Sequence, residues 1–250
     1  KFLRKTNQMI YPFKAILFDW AYTLVDLVHE DDRAAFKKMT EFLRKNEIEL
    51  PDFNLLFSEY QGLFYTLINE SRQTHREACF ETVLRHLFFK YKIDIEKRTS
   101  WKDLLTIYYE VIHSTRIIYP DVMETLETLH GAGVRMGIIS NTTNPEFIKN
   151  EELRRSELGQ YFEFAIYSSS APYRKPHPSI FRAAISRLQM NVGDILFVGD
   201  DLNMDVEGPQ AVGMSAAWLN RNGSSLTSGI VPDYQITNLS ELLQITTLKV

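Results

Sequence analysis

Two hundred and fifty residues, 44% hydrophobic and 24% charged with 11 Gly and 9 Pro, suffice for a sizeable core. They exclude a collagen-like, disulfide-scaffolded or wholly disordered chain. Twenty-eight lysines and arginines against 32 acidic residues leave a net charge of −4, with no global attraction to nucleic acid or to an anionic membrane. The single cysteine, Cys79, has no internal disulfide partner, no apolar run approaches the roughly 18 residues that span a bilayer, and the basic residues 1–6 precede no secretory signal pattern. A soluble, cytoplasmic protein is expected.

In chain order, residues 13–18 form a short apolar run ending at Asp19, the pattern of a buried strand. Helical periodicity then takes over. Phe36, Met39, Phe42 and Leu43 follow the acidic pair Asp31 and Asp32, and a second stripe runs from Phe53 to Leu67. Thr74 with Glu77 reads as a capping box opening a third helix, and Ser100 with Asp103 as one opening a fourth. From Tyr119 onward helices alternate with apolar runs at 134–139, 162–167, 195–198 and 216–219, which predicts a parallel sheet covered on both faces. The first strand has no parallel partner unless it joins that sheet. The expectation is therefore a doubly wound, Rossmann-like α/β core of residues 11–26 and 115–250, with an all-helical domain of residues 27–114 inserted after the first strand.

Ligands bind at the carboxyl ends of the strands in such a sheet. There the sequence places Asp19-Trp20-Ala21-Tyr22-Thr23, then Ser140-Asn141, then Arg174-Lys175, then Gly199-Asp200-Asp201 with Asp205 beyond. Carboxylates drawn from two strand ends repel one another unless a cation sits among them, and hard oxygen ligands suit Mg²⁺. A lysine beside Mg²⁺ makes a site for an oxyanion such as phosphate.

These four segments, in this order, resemble the haloacid dehalogenase superfamily, and the helical insertion resembles its subfamily I cap. The resemblance implies that Asp19 is a nucleophile forming an aspartyl-phosphate, with Lys175 neutralising the developing charge. It implies that Thr23, Ser140 and Asn141 bind the substrate phosphate. Asp19, the backbone carbonyl of Ala21, Asp200 and Asp205 would then hold Mg²⁺. Asp201 is either a supporting acidic position or a helix cap, and Arg174 competes with Lys175.

Ala21 departs from the family pattern, which carries an acid/base Asp there. Loss of such a group costs about 10²–10⁴-fold in rate, so slow turnover on poor leaving groups is expected. The implied function is a Mg²⁺-dependent, phosphatase-like hydrolase of a small phosphorylated or phosphonate-like molecule. Two alternatives stand beside it. One is a catalytically weak homologue that binds a metabolite or a protein. The other is a phosphonoacetaldehyde-hydrolase-like enzyme, which shares Asp-Trp-Ala but needs a cap lysine, whereas none occurs between Lys45 and Lys90. The dehalogenase branch resembles Ser-Ser-Asn rather than Gly199-Asp200-Asp201. His29 and Glu30 are candidates to replace the missing acid. Arg72, His75 and Arg76 form either a solvated helix face or a contact for the distal part of an anionic substrate.

Overall fold

The apolar runs assemble as one parallel sheet because helices connect them in succession, returning the chain to the same edge each time. The computed structural model describes residues 12–27, 30–225 and 229–245. Six strands, β1 (Ala15–Phe18), β4 (Arg135–Ser140), β5 (Phe164–Tyr167), β6 (Ile195–Gly199), β7 (Ser215–Leu219) and β8 (Tyr234–Ile236), lie in the order β5-β4-β1-β6-β7-β8. Every adjacent pair is parallel. The first strand indeed joins the later ones, at their centre. β8, three residues long and half exposed, carries too little apolar pattern to be read from sequence.

Alternation along β1 sends its side chains into two different layers, as its period of two requires. Ile16 and Phe18 pack with Val122, Leu126 and Leu129 of α5 (Val122–Gly131). Ala15 and Leu17 pack with Ile180, Phe181, Ala184 and Leu188 of α7 (Pro178–Leu188). The sheet is thus covered on both faces, a doubly wound core.

Four helices occupy the insertion: α1 (Asp32–Lys45), α2 (Phe53–Thr74), α3 (Phe80–Lys90) and α4 (Trp101–His113). They enclose a hydrophobic cluster of their own around Phe36, Tyr60, Phe80 and Tyr108, to which, among the described residues, only Ile148 of α6 (Glu146–Arg155) is added from outside. Asp31, Asp52 and Ser100 cap α1, α2 and α4 through hydrogen bonds to backbone N–H groups. The capping box at Thr74 is not formed. The α2 helix runs through Thr74, stops at His75 in the left-handed conformation, and α3 begins at Phe80 without a side-chain cap. Thr74 bonds back to the carbonyl of Glu70, while Glu77 accepts from Ser168 across the boundary with the core.

The chain enters the helical unit through β2 (Val25–Asp26) and leaves it through β3 (Ile117–Ile118). These two segments pair with each other as an antiparallel ribbon, a feature too short for a sequence signal. No helix among the described residues is long and apolar enough to cross a membrane.

Candidate active site

Parallel strands carry all their carboxyl ends to one edge, so the residues after β1, β4, β5 and β6 converge there. Asp19 follows β1 and is fixed by its N–H donating 2.9 Å to the carbonyl of Val198. Ser140, 2% exposed, ends β4. Asn141 clamps the loop that follows β5: its Oδ1 accepts from the N–H of Lys175 at 2.8 Å, and its Nδ2 donates to the Lys175 carbonyl at 3.0 Å. The clamp aims Lys175, itself 2% exposed, into the centre of the site.

The Lys175 ammonium donates to Asp19 Oδ1 at 2.6 Å and to Asp205 Oδ1 at 2.7 Å. Arg174 points elsewhere: its guanidinium donates to Ser71 Oγ at 3.0 Å and lies 3.6 Å from Glu77. The two neighbours thus take different partners. Asp205 reaches Lys175 because the chain after Asp201 forms a π-helical turn, Leu202–Glu207, which folds its carboxyl group back against Gly199. A Cβ on Gly199 would overlap that carboxyl group. Asp201 caps the turn, accepting from the N–H groups of Asn203 at 2.9 Å and Met204 at 2.8 Å, and its own N–H donates to Asp205 at 3.1 Å. Thr23 is fully buried, and its hydroxyl donates to Asp200 Oδ1 at 3.4 Å.

Asp19, Asp200 and Asp205 offer carboxylate oxygens that all lie within 4.8 Å of one another. Burial together with the charges of Asp19 and Asp205 pushes the Asp200 carboxyl up to about 7. Burial and Asp19 raise Asp205 to about 6 against the pull of Lys175. Burial disfavours the Lys175 charge, but Asp19 and Asp205 outweigh it and hold that group above the usual lysine range. Three carboxyl groups facing one ammonium leave an excess of acidic groups in a largely buried site. An all-oxygen donor set of this kind fits a hard divalent cation such as Mg²⁺.

Above this edge a cleft of about 460 Å³ is lined by Ala21, Ser140 and Asn141 on the core side and by Tyr65, Ile68 and Arg72 of α2 on the other. Arg72 therefore stands on the cleft wall, whereas Arg76 lies over the Tyr173 ring and His75 beside the His177 ring. Glu30 also lines the cleft, but its Oε1 accepts from both Nε and Nη2 of Arg116. His29 lies outside the described residues. A larger cleft, about 680 Å³, opens on the other flank of Trp20, between α4 and α6 and away from Asp19 and Ser140.

Sequence reasoning missed a buried ionic network beside the cleft. Glu152 accepts from Trp20 Nε1 at 3.0 Å, from Lys149 Nζ at 2.6 Å and from Arg116. Burial opposes its charge, yet Lys149 and Arg116 outweigh burial and bring the carboxyl down to about 2. Burial drives His113, 3.7 Å away, down to about 3, so it is neutral at pH 7. Lys149 and Glu152 sit three residues apart on a helix whose sequence is polar almost throughout, and nothing local marks them as buried.

Residues 13–213 match the family model described as haloacid dehalogenase-like hydrolase. The chain is 30% identical over 240 residues to glyceraldehyde 3-phosphate phosphatase of Pyrococcus furiosus, covering 93% of this chain and 92% of the relative. It is 27% identical over 242 residues to (S)-2-haloacid dehalogenase 4A of Burkholderia cepacia, covering 94% and 95%. Among solved structures, a HAD phosphatase from Thermococcus onnurineus superposes with a TM-score of 0.63 at 29% identity, covering 93% of this chain and 97% of that one.

Proposed function

The chain belongs to the haloacid dehalogenase-like hydrolases, and from that membership we propose that it is a Mg²⁺-dependent phosphatase acting on a small phosphorylated metabolite. One observation carries the reading: the Lys175 ammonium bridges Asp19 and Asp205, with Asp200 in reach of the same cation. Dehalogenation gives this acidic cluster no task, whereas a phosphoryl group beside Asp19 would call for the cation that such a cluster can hold.

In this reading a carboxylate oxygen of Asp19 attacks phosphorus as the ester bond breaks, which yields an aspartyl-phosphate and the alcohol. Lys175 holds the attacking carboxylate in place and offsets negative charge as it develops. Ser140, with Thr23 and Asn141, would receive the phosphoryl oxygens in this reading. Asp19, Asp200, Asp205 and the carbonyl of Ala21 would hold Mg²⁺, which supplies charge stabilisation to the phosphoryl oxygens. Residues 27–114 act as a cap over a core of 11–26 and 115–250, and the separate hydrophobic cluster of α1–α4 supports that division. A single cysteine accords with a reducing, cytoplasmic setting.

The test is release of 4-nitrophenol from its phosphate ester in the presence of Mg²⁺, comparing wild type with Asp19→Asn. Turnover that depends on Asp19 supports the reading. Equal turnover in the variant, or an inert but folded wild type, overturns it. Halide release from a 2-haloacid without added metal would instead point to dehalogenation. Binding of phosphometabolites without turnover would identify a binding homologue, and borohydride trapping of an aldehyde substrate a carbon–phosphorus hydrolase.

A further inference from the structure

Ester cleavage at this site needs a proton for the departing oxygen, and Ala21 has none to give. The cleft wall around Ala21 therefore decides where the proton comes from. Glu30 is engaged by Arg116. Glu77 accepts from Ser71, Ser168 and the backbone N–H of Ala78. The arginines on the wall do not release protons near neutral pH. Lys175 is committed to Asp19 and Asp205.

Lys149 is different. It lines the same cleft as Ala21 and Ser140 and is 3% exposed. Its ammonium lies 4.9 Å from the centre of the Trp20 ring, the residue between Asp19 and Ala21. An ammonium has three N–H donors, and among the described residues Lys149 gives a hydrogen bond only to Glu152. Glu152 is anchored in turn by Trp20 and Arg116, so it fixes the ammonium without blocking its remaining donors.

We propose that the Lys149 ammonium is the leaving-group proton donor of this site, in place of the carboxylic acid that Ala21 lacks. The inference rests on the phosphatase reading above. As the Asp19–phosphorus bond forms and the phosphorus–oxygen ester bond breaks, Nζ passes one proton to the departing oxygen. The alcohol leaves, and a neutral amine remains beside ionised Glu152. In the second half, the oxygen of a water bonds to phosphorus, the acyl-phosphate bond breaks to return the Asp19 carboxylate, and the amine takes the proton of the water. Inorganic phosphate leaves, and the ammonium is restored.

The surroundings suit proton transfer in both directions. Burial and the Arg116 charge lower the proton affinity of Lys149, while Glu152 and Asp19 raise it; burial prevails, and the group titrates below the usual lysine range. Tyr167 and Trp20, the aromatic rings near Nζ, carry no charge at neutral pH. A donor here moderates the penalty that Ala21 alone would impose on alkyl esters.

The experiment is a leaving-group series, from 4-nitrophenyl phosphate to alkyl phosphates, in wild type, Lys149→Met, Lys149→Arg and Tyr65→Phe. Lys149→Arg keeps the charge against Glu152 and so protects the fold, but it cannot deliver a proton. Both Lys149 variants are expected to lower the ratio of alkyl to aryl kcat/KM by about 10²–10⁴-fold. Adding Ala21→Asp to Lys149→Arg is expected to restore it. An unchanged ratio in Lys149→Arg, which a purely structural lysine would give, overturns the proposal. So does a fall in the ratio that follows Tyr65→Phe instead. If aryl turnover needs Asp19 while the ratio ignores Lys149, only the donor is refuted. An inert wild type refutes the phosphatase reading with it.

Discussion

Replacing Glu152 with Gln removes one charge from the most buried ionic cluster that joins the helical unit to the core. Gln still accepts the Trp20 hydrogen bond, so the substitution isolates the charge: Lys149 loses its carboxylate partner, while Arg116 keeps Glu30. A carboxyl held at about 2 rather than at its ordinary 4.5 represents about 3 kcal/mol of folding free energy at neutral pH, at 1.36 kcal/mol for each tenfold change in proton affinity. Breaking a buried ion pair from one side costs about 3–5 kcal/mol, which agrees. For a chain of this size the loss corresponds to a fall in Tm of about 6–12 °C. Because the folded-state carboxyl titrates below the unfolded one, this stability is complete above pH 4.5 and disappears as pH falls through 2. The gap between wild type and Glu152→Gln should therefore be full at pH 7 and smaller by about two fifths at pH 3.5. Urea unfolding at both pH values measures it. A gap below about 1 kcal/mol at pH 7, or one that widens on acidification, would refute the reasoning.

Two further substitutions separate the acidic cluster from its support. Gly199→Ala places a methyl group where the Asp205 carboxyl packs, and Mg²⁺ affinity measured by calorimetry should fall by about 10–100-fold with the circular dichroism unchanged. Asp201→Ala loses two hydrogen bonds to the π-helical turn, which should cost about 1 kcal/mol in thermal unfolding and leave Mg²⁺ affinity as it was. Equal loss of Mg²⁺ affinity in the two variants would place Asp201 among the ligands.

Local pattern carried the sheet and its edge because strand, turn and chemistry lie together in sequence. Asp19, Ser140 and Asp200 each stand within a residue of a strand end, so a short apolar run also located the candidate site residue. Arg174 and Lys175 are adjacent and alike in charge, and the reciprocal Asn141 clamp, with Ser71 and Glu77 holding Arg174, decides which of them reaches Asp19. Thr74 and Glu77 have the spacing of a capping box, yet α2 extends to Thr74 itself, which is helical and so cannot serve as the N-cap of a following helix. The network around Glu152 was invisible for a different reason. Charged residues on a polar helix are normally solvated, and their burial here follows from Arg116 and Trp20, which arrive from distant parts of the chain.

The β2–β3 ribbon has a topological consequence. Paired antiparallel, Asp26 and Ile117 stand at the separation that a two-residue turn ordinarily bridges. Seen from the sheet, the chain makes a simple hairpin, and residues 27–116 are its loop, enlarged into a folded body with an interior of its own. That body can lengthen, shrink or be exchanged while β1 and β4 keep their register, because the hairpin stem sees only the distance between its two ends.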